Sequence, residues 1–347
     1  MGPPGPRRVT LRPRLGTDKA TRWDRRITAV PRVRLSAAAY RRITALAAVA
    51  VGVIIVTGGA VRVTGSGLGC PDWPTCARNR VVAPWEYHAL VEFGNRAVTG
   101  AVSVLVMAAV LGSLVRRPRR RDLVVLSWGL VAGVIAQIVL GGLTVLFKLA
   151  PPFVMGHFLL SMALLADAVV LHHRAGLPDG AWEARPLVAP GQARLARLAL
   201  GATAVVVVLG TVVTSSGPHG GDVRAKRLSY TVHDTARVHG TAVVALLVLT
   251  VALVWWLHRS GAAPAVQRRS RLFVEVLAAQ AAVGYVQYFT RIPAALVAVH
   301  IGGAAAAWSA ALWLCCGLTR AVPAADGAGD AGTAGPATAR AGVLSRV

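Results

Sequence analysis

The stretch LVVLSWGLVAGVIAQIVLGGLTVLF at residues 123–147 decides the fold, because it carries no charged side chain over a length that can cross a bilayer. A helix needs about 20 apolar residues to span the hydrocarbon core. Lipid leaves no water to satisfy exposed backbone groups, and the alternating pattern of barrel strands is missing here. Similar runs predict eight spans, at residues 43–62, 88–114, 123–147, 153–171, 195–214, 235–257, 272–290 and 293–318. We therefore predict an all-α integral membrane protein with eight transmembrane helices.

The composition of the chain supports this class. Of its 347 residues, 55% are hydrophobic and 15% are charged, and the mean hydropathy is +0.57. The formal charge of +24 comes from 38 Lys+Arg against 14 Asp+Glu, which in a soluble protein would suggest a nucleic-acid partner. Here the basic residues cluster in short segments between apolar runs, and no basic patch is interleaved with aromatic residues. We expect no nucleic-acid partner, and the predicted environment is the lipid bilayer.

The distribution of basic residues predicts the orientation of the chain. Lys and Arg are concentrated in alternate connections and in the amino-terminal segment. By the positive-inside rule, both termini then lie in the cytoplasm of a multi-pass plasma-membrane protein. The Arg-rich first 41 residues also allow an organellar transit peptide, but a basic cytoplasmic tail explains them equally well. The Ala/Gly-rich end from residue 321 has no periodic pattern and is predicted to be disordered.

The two halves of the chain repeat each other. Span one ends in VIIVTGGAVRVTGSGLGC and span five in VVVVLGTVVTSSGPHGGD, while spans four and eight each begin with proline and carry a histidine soon afterwards. Aligning spans two and six pairs Asn95 with His239, and aligning spans four and eight pairs His157 with His300. The pattern predicts two tandem, pseudo-symmetric four-helix bundles inserted in the same orientation. We call spans one to four the amino unit and spans five to eight the carboxyl unit.

Two histidines of the carboxyl unit are candidate metal ligands. His239 and His300 lie at matched depth, roughly 6 to 10 Å inside the outer boundary at 1.5 Å per residue. Facing imidazoles across a four-helix bundle can hold a b-type haem by both axial positions. For either histidine alone, packing by hydrogen bonds is the simpler interpretation. Zinc or copper would be left with too few ligands, because no Cys or carboxylate is near.

The amino unit breaks the repeat at one ligand position. It has His157, but it offers Asn95 where a second histidine is expected, and an amide is a poor iron ligand. His88, two turns before Asn95, is the alternative second ligand. If neither binds iron, one face of a haem at His157 stays open. An open face suits a haem that is chemically processed rather than one that only carries electrons.

Three charged residues lie beside these positions. Glu92 precedes Asn95 by one turn, and a carboxylate within a membrane span is a functional candidate. Its repeat partner is Ala236, which favours a catalytic role confined to the amino unit, although an i,i+4 pair with Arg96 is the alternative. Arg96 and Arg237 flank the ligand positions, and either could bind a haem propionate. An anchor at the lipid headgroups is the plainer interpretation of both.

The outer loop between spans one and two contains two cysteines. Cys70 and Cys76 lie in GCPDWPTC, on the side of the membrane where oxidation is permitted. Two prolines between them can form turns, so we predict a disulfide. An exposed disulfide could be structural or redox-active, and both interpretations stay open.

Taken together, these motifs resemble the haem A synthase family. The resemblance rests on TGGAVRVTGSGLGCPDWPTC at 57–76, VEFGNR at 91–96, VHG at 238–240 and the histidine positions 157 and 300, and it extends over about residues 42–318. Members of that family convert haem O to haem A by oxidising a ring methyl to a formyl group in successive hydroxylation steps. They have eight spans in two halves and a b-type haem in the carboxyl half.

The resemblance implies roles for particular residues. It makes His239 and His300 the axial ligands of haem b, and it places Glu92 and His157 in the substrate haem site. It also implies the outer-loop disulfide. The family usually has a histidine at the position of Asn95, so the second ligand of the substrate haem departs from its pattern. The implied partners are haem O as substrate, the farnesyltransferase that produces haem O, and cytochrome oxidase assembly, and a homo-oligomer is left open.

The predicted organisation follows from these assignments. It comprises a basic cytoplasmic tail at 1–42, the amino unit with the substrate haem site at 43–171, a cytoplasmic linker at 172–194, the carboxyl unit with the haem b site at 195–318, and a disordered tail at 319–347. Two other functions use the same repeat. A non-catalytic di-haem electron-transfer protein would need two bis-His sites, and a haem transporter would need helices broken by Gly or Pro near mid-membrane.

Overall fold

A computed structural model describes residues 34–77 and 80–323. Within them, eight helices are long and apolar enough to cross a membrane, so the predicted all-α membrane fold is confirmed. They are α1 Ala37–Val63, α2 Tyr87–Val115, α3 Arg121–Leu146, α4 Pro151–Ala175, α5 Pro190–Ser216, α6 Val232–Arg259, α7 Pro264–Phe289 and α8 Ala294–Cys316. Two short strands, β1 Trp182–Pro186 and β2 Thr319–Pro323, complete the elements. Most of the predicted basic tail and of the predicted disordered tail lies outside the described residues.

Several helices begin earlier than their apolar runs. Helix α1 begins behind Ser36, whose hydroxyl accepts the Ala39 N–H at 3.2 Å. Helices α5 and α7 begin with Pro190 and Pro264, a residue favoured in the first turn because its missing N–H would be unpaired there. Hydropathy marks the part of a helix that crosses hydrocarbon, whereas the cap marks where the helix begins. The connection between the units is therefore 176–189, shorter than the predicted linker 172–194.

The two strands form an antiparallel ribbon between the connection of the units and the segment after α8. Ala184 lies opposite Ala321 in its register. Disorder is predicted from residue 319 onward, but the described part of this tail, Thr319–Pro323, is a strand. Its backbone groups pair with β1, a partner distant in sequence that hydropathy does not reveal.

The buried apolar side chains form two clusters, one lying mainly in each unit. In the amino unit, Tyr40 is fully buried, and its hydroxyl lies 2.9 Å from that of Ser127 across the bundle. In the carboxyl unit, Phe273 is fully buried in a second cluster. The two units are joined within the membrane, where the Trp308 indole N–H donates to the Met162 carbonyl at 2.9 Å. These contacts fit the predicted tandem bundles.

Two turns show the repeat directly in the backbone. Lys148 and Leu149, between α3 and α4, have φ of 50° and 58°, and Arg291 and Ile292, between α7 and α8, have φ of 65° and 58°. Residues other than glycine rarely adopt this left-handed backbone conformation, because it costs about 1–2 kcal/mol per residue. Two such residues in succession at corresponding positions of both units are independent support for the repeat.

Glycines bring α3 and α4 close together. A Cβ at Gly129 would lie 2.6 Å from the carboxylate of Asp167, and a Cβ at Gly133 would overlap Leu164. Helix α3 continues without interruption through both glycines. These two glycines therefore let α3 and α4 pack closely together.

Candidate functional site

The carboxyl unit brings two imidazoles close together inside its helix bundle. His239 on α6 and His300 on α8 have ring centres 6.4 Å apart, with an angle of 77° between the ring planes. Metal–imidazole bonds are about 2 Å long, so two imidazoles on opposite sides of one ion have centres roughly 6 Å apart. The described residues contain no group of three or more His, Cys, Asp or Glu suited to a metal ion. The spacing therefore fits a metal held by two axial imidazoles, as in a b-type haem.

Each candidate imidazole packs against a glycine on the preceding helix. A Cβ at Gly210 would lie 3.3 Å from Cε1 of His239, and a Cβ at Gly284 would lie 3.2 Å from Cε1 of His300. In the amino unit, Gly141 has the same relation to His157, at 3.3 Å. The Nδ1 atoms of these histidines are buried without a hydrogen-bond partner. Such atoms are rare in folded proteins, and each of these three side chains has one.

A sequence motif is repeated on α3 and α7, the helices that precede those of His157 and His300. The motif reads AQIVLG at 136–141 and AQAAVG at 279–284, with the same spacing to the histidine of the following helix. The Gln137 amide donates to the His157 carbonyl at 3.2 Å and to a serine hydroxyl one turn further along at 2.6 Å. The carbonyl oxygens of the Gln137 and Gln280 side chains are both buried without a partner. Comparing spans three and seven for the repeat would have revealed this signal.

The amino unit places Asn95 against α1. The Thr57 hydroxyl donates to Oδ1 of Asn95 at 2.7 Å, so the amide oxygen is already used. His88 lies in the first turn of α2, and its Nδ1 is 2.9 Å from the Ser66 hydroxyl in the outer loop. The structure thus joins Asn95 to a neighbouring helix and His88 to the loop. The second ligand of a haem at His157 stays a prediction.

Glu92 and Arg96 hold the outer loop. Glu92 is 6% exposed, and its carboxylate accepts the Cys70 N–H at 2.8 Å and an Arg96 N–H at 2.7 Å. The i,i+4 pair is therefore present. Arg96 also donates to the carbonyls of Thr75, Cys70 and Asp72, at 2.9, 3.2 and 3.4 Å. These bonds commit most of its guanidinium to the loop, while a propionate contact and a catalytic role for Glu92 stay predictions.

The disulfide is present but buried. Cys70 and Cys76 are bonded, as predicted, and are 0% and 1% exposed. They lie in a cluster with Ala89 and Phe93 of α2. The loop folds back so closely that a Cβ at Gly69 would overlap the carbonyl of His88. The expectation of an exposed disulfide is therefore wrong, and because thiol exchange requires access to a sulfur, burial favours a structural link.

Arg237 is the more available of the two predicted propionate ligands. It lies two residues before His239, and its side chain is exposed. It takes part in none of the ion pairs among the described residues. A contact between its guanidinium and a haem propionate stays a prediction.

The chain is similar in sequence to known proteins. A family model described as cytochrome oxidase assembly protein, COX15-CtaA, matches residues 41–86 and 82–218. A heme A synthase of Symbiobacterium thermophilum is 34% identical over 185 residues, which are 51% of this chain and 60% of that protein. A heme A synthase of Geobacillus kaustophilus is 34% identical over 99 residues, covering 28% of this chain and 30% of the relative.

A protoheme IX farnesyltransferase of Halobacterium salinarum is also similar, at 31% identity over 154 residues, which are 42% of this chain and 33% of that protein. The chain thus matches between 30% and 60% of the length of these relatives. The family model matches most of α1 and all of α2 to α5. The protein belongs to the COX15-CtaA family of cytochrome oxidase assembly proteins.

Proposed function

We propose that the protein is a haem A synthase, which oxidises the ring methyl of haem O to a formyl group to give haem A for cytochrome oxidase. The names of its relatives support this reaction. One observation of the structure carries the proposal furthest. The carboxyl unit pairs two imidazoles 6.4 Å apart, whereas the amino unit offers His157 and an amide that is already hydrogen-bonded. One unit is built to retain a haem, and the other is built to exchange one.

In the carboxyl unit, His239 and His300 would hold haem b, and Arg237 would bind one of its propionates. When bound, this group supplies an acceptor for electrons. The protein's own contribution is to fix the distance between the imidazoles, and Gly210 and Gly284 do this by allowing each ring to lie against a helix backbone.

In the amino unit, His157 would bind the iron of haem O from one side. Conversion of a methyl to a formyl group with water as the oxygen source releases four electrons and four protons, so the site must stabilise positive charge and accept protons. Glu92 would do this as a fixed charge in a dry site. The four electrons require an acceptor, which is the chemistry that haem b would supply in the carboxyl unit.

The alternative functions find less support among the described residues. An electron conduit needs two bis-His sites. Among the described residues, one pair of histidine rings lies close together, that of His239 and His300. A transporter of the broken-helix type needs interrupted spans, but α3 runs unbroken through its interior glycines, Gly129 and Gly133.

The proposed setting is a bacterial plasma membrane with both termini in the cytoplasm. The proposed partners are the farnesyltransferase that produces haem O and the assembly of cytochrome oxidase. The similarity to a protoheme IX farnesyltransferase supports this link to the haem pathway.

Pigment analysis tests the proposal. The protein is produced in a host that makes haem O but lacks its own haem A synthase, and extracted haems are separated by chromatography. Haem A should appear with the wild-type chain. In His239→Ala and His300→Ala the low-spin spectrum of haem b should disappear, because loss of one axial ligand leaves five-coordinate iron. Accumulation of unchanged haem O beside a fully loaded carboxyl unit would overturn the proposal.

A further inference from the structure

The outer loop at residues 70–76, here called the disulfide loop, is docked rigidly on α2. Its first residue donates from its backbone to Glu92, and Arg96 donates to the carbonyls of three loop residues. The buried Cys70–Cys76 bond closes it at the base. A loop held at this many points presents its remaining side chains in a defined position.

Trp73, at the tip of this loop, reaches across to α3. A Cβ at Gly142 would lie 2.8 Å from both atoms of the bond that fuses the two indole rings. The face of the indole therefore lies on the backbone of Gly142, where only glycine leaves room for it. Trp73 is 39% exposed, so part of its ring system is not covered by protein.

The indole and the candidate ligand of the amino unit use successive residues of α3. Gly141 packs against the ring of His157, and Gly142 packs against Trp73. In the carboxyl unit, Gly284 packs against His300, but the next residue is Tyr285, which is exposed. The tryptophan contact is thus a feature of the amino unit at the place where its ligand set departs from the repeat.

We infer that Trp73 is a positioning residue of the amino-unit site, and that its indole forms an aromatic wall for a planar macrocycle bound at His157. The inference rests on the proposed function, since the macrocycle is a haem. An aromatic wall supplies contact area without a bond to iron, because aromatic rings attract one another through their faces and edges. It would hold the substrate in orientation while leaving the iron side near Asn95 free.

Haem transfer tests the inference, with haemin as the probe. Protein whose carboxyl unit is already loaded is titrated with haemin, and release from the amino unit is followed by transfer to apomyoglobin. Trp73→Ala should speed release about 5- to 10-fold, the effect of losing one aromatic contact. Trp73→Phe should restore most of the retention. Trp85→Ala is the matched control, because Trp85 lies in the same outer connection and is 94% exposed.

A second variant reaches the indole from the other side. Gly142→Val should displace Trp73 and speed haemin release as Trp73→Ala does, while an unchanged low-spin spectrum of the carboxyl unit shows that the variant is folded. The inference alone would be overturned if His157→Ala abolished binding of the second haemin while Trp73→Ala and Gly142→Val released it at the wild-type rate. A wild-type chain that takes up no second haemin would contradict both the inference and the proposed function.

Discussion

Asn95 occupies the place that His239 holds in the other unit, and its side-chain oxygen already accepts a hydrogen bond from Thr57. A histidine there would have no need of this bond and could offer a nitrogen to iron. In the proposed function, this change of one side chain separates a unit that keeps its haem from one that can release it. At the residue scale, this is the difference between the two units that bears most directly on function.

Restoring the repeat should make the amino unit retain its haem. In Asn95→His, the second imidazole supplies the missing axial ligand, so total haem per chain after purification should rise from about one toward two. His157→Ala is the control, because it should lower haem in the amino unit without affecting the carboxyl unit. If wild type already carries two tightly bound low-spin haems and Asn95→His changes nothing, another residue completes the site, and His88 would be tested first.

The two roles of Glu92 can be separated by its isostere. Glu92→Gln keeps an oxygen for the Cys70 N–H but removes the charge, so hydrogen exchange of the disulfide loop should stay slow while haem A formation falls about tenfold or more. Arg96→Ala should instead speed exchange in the loop, because the carbonyls of residues 70, 72 and 75 lose their donor. Haem A formation at the wild-type rate in Glu92→Gln would mean that holding the loop is its whole role.

At the scale of the helices, the paired contacts of glycine and histidine set how closely neighbouring helices approach. Each ring lies where a Cβ of the opposing residue would lie 3.2 to 3.3 Å from Cε1. Larger side chains in place of these glycines would displace the imidazole from the position in which it could bind a metal. The effect should be local to one unit, since each contact lies within one bundle.

Leucine substitutions test this locality. Gly284→Leu should weaken or abolish the low-spin spectrum of the carboxyl unit, whereas Gly141→Leu should lower haem binding at His157 and leave that spectrum intact. Gly201→Leu on α5 is the matched control, because a Cβ there meets nothing within 4 Å. Equal spectral effects of all three variants would show a general packing defect rather than control of ligand position.

Much of the element pattern could be predicted from sequence, and the reason is physical. Hydrocarbon demands long apolar helices, so α3 could be recognised from residues 123–147 alone. Helix beginnings were less accurate, because caps such as Ser36 lie outside the apolar runs. The burial of the disulfide could not be predicted, since it depends on hydrogen bonds from the loop to Glu92 and Arg96. The histidines were found through the repeat, but their glycine partners lie on other helices.

At the scale of the whole molecule, the ribbon of β1 and β2 joins the connection between the units to the segment that follows α8. The two strands lie far apart in sequence, so their pairing closes the chain upon itself on one face of the membrane. That face is the one predicted to be cytoplasmic.

Cysteine cross-linking tests this closure. In the double variant Ala184→Cys/Ala321→Cys, the two side chains lie opposite each other in the register, at a separation a disulfide can bridge. Mild oxidation should join them and produce a faster-migrating band on gels without reductant. Glu183→Cys/Ala321→Cys is the control, because neighbouring residues on a strand point to opposite faces. Equal cross-linking of both pairs, or of neither, would contradict the register.

The left-handed turns at Lys148–Leu149 and Arg291–Ile292 bear on the ancestry of the chain. A costly backbone conformation kept in both copies points to duplication of an ancestral gene. After the duplication the ligand positions diverged, while the left-handed turns did not. The helical hairpins α3–α4 and α7–α8, each joined by one of these turns, should then be interchangeable. A chimera with α7–α8 transplanted into the place of α3–α4 would carry its own histidine, glutamine and glycine. It would also place Tyr285 at the position of Gly142, against which Trp73 now packs.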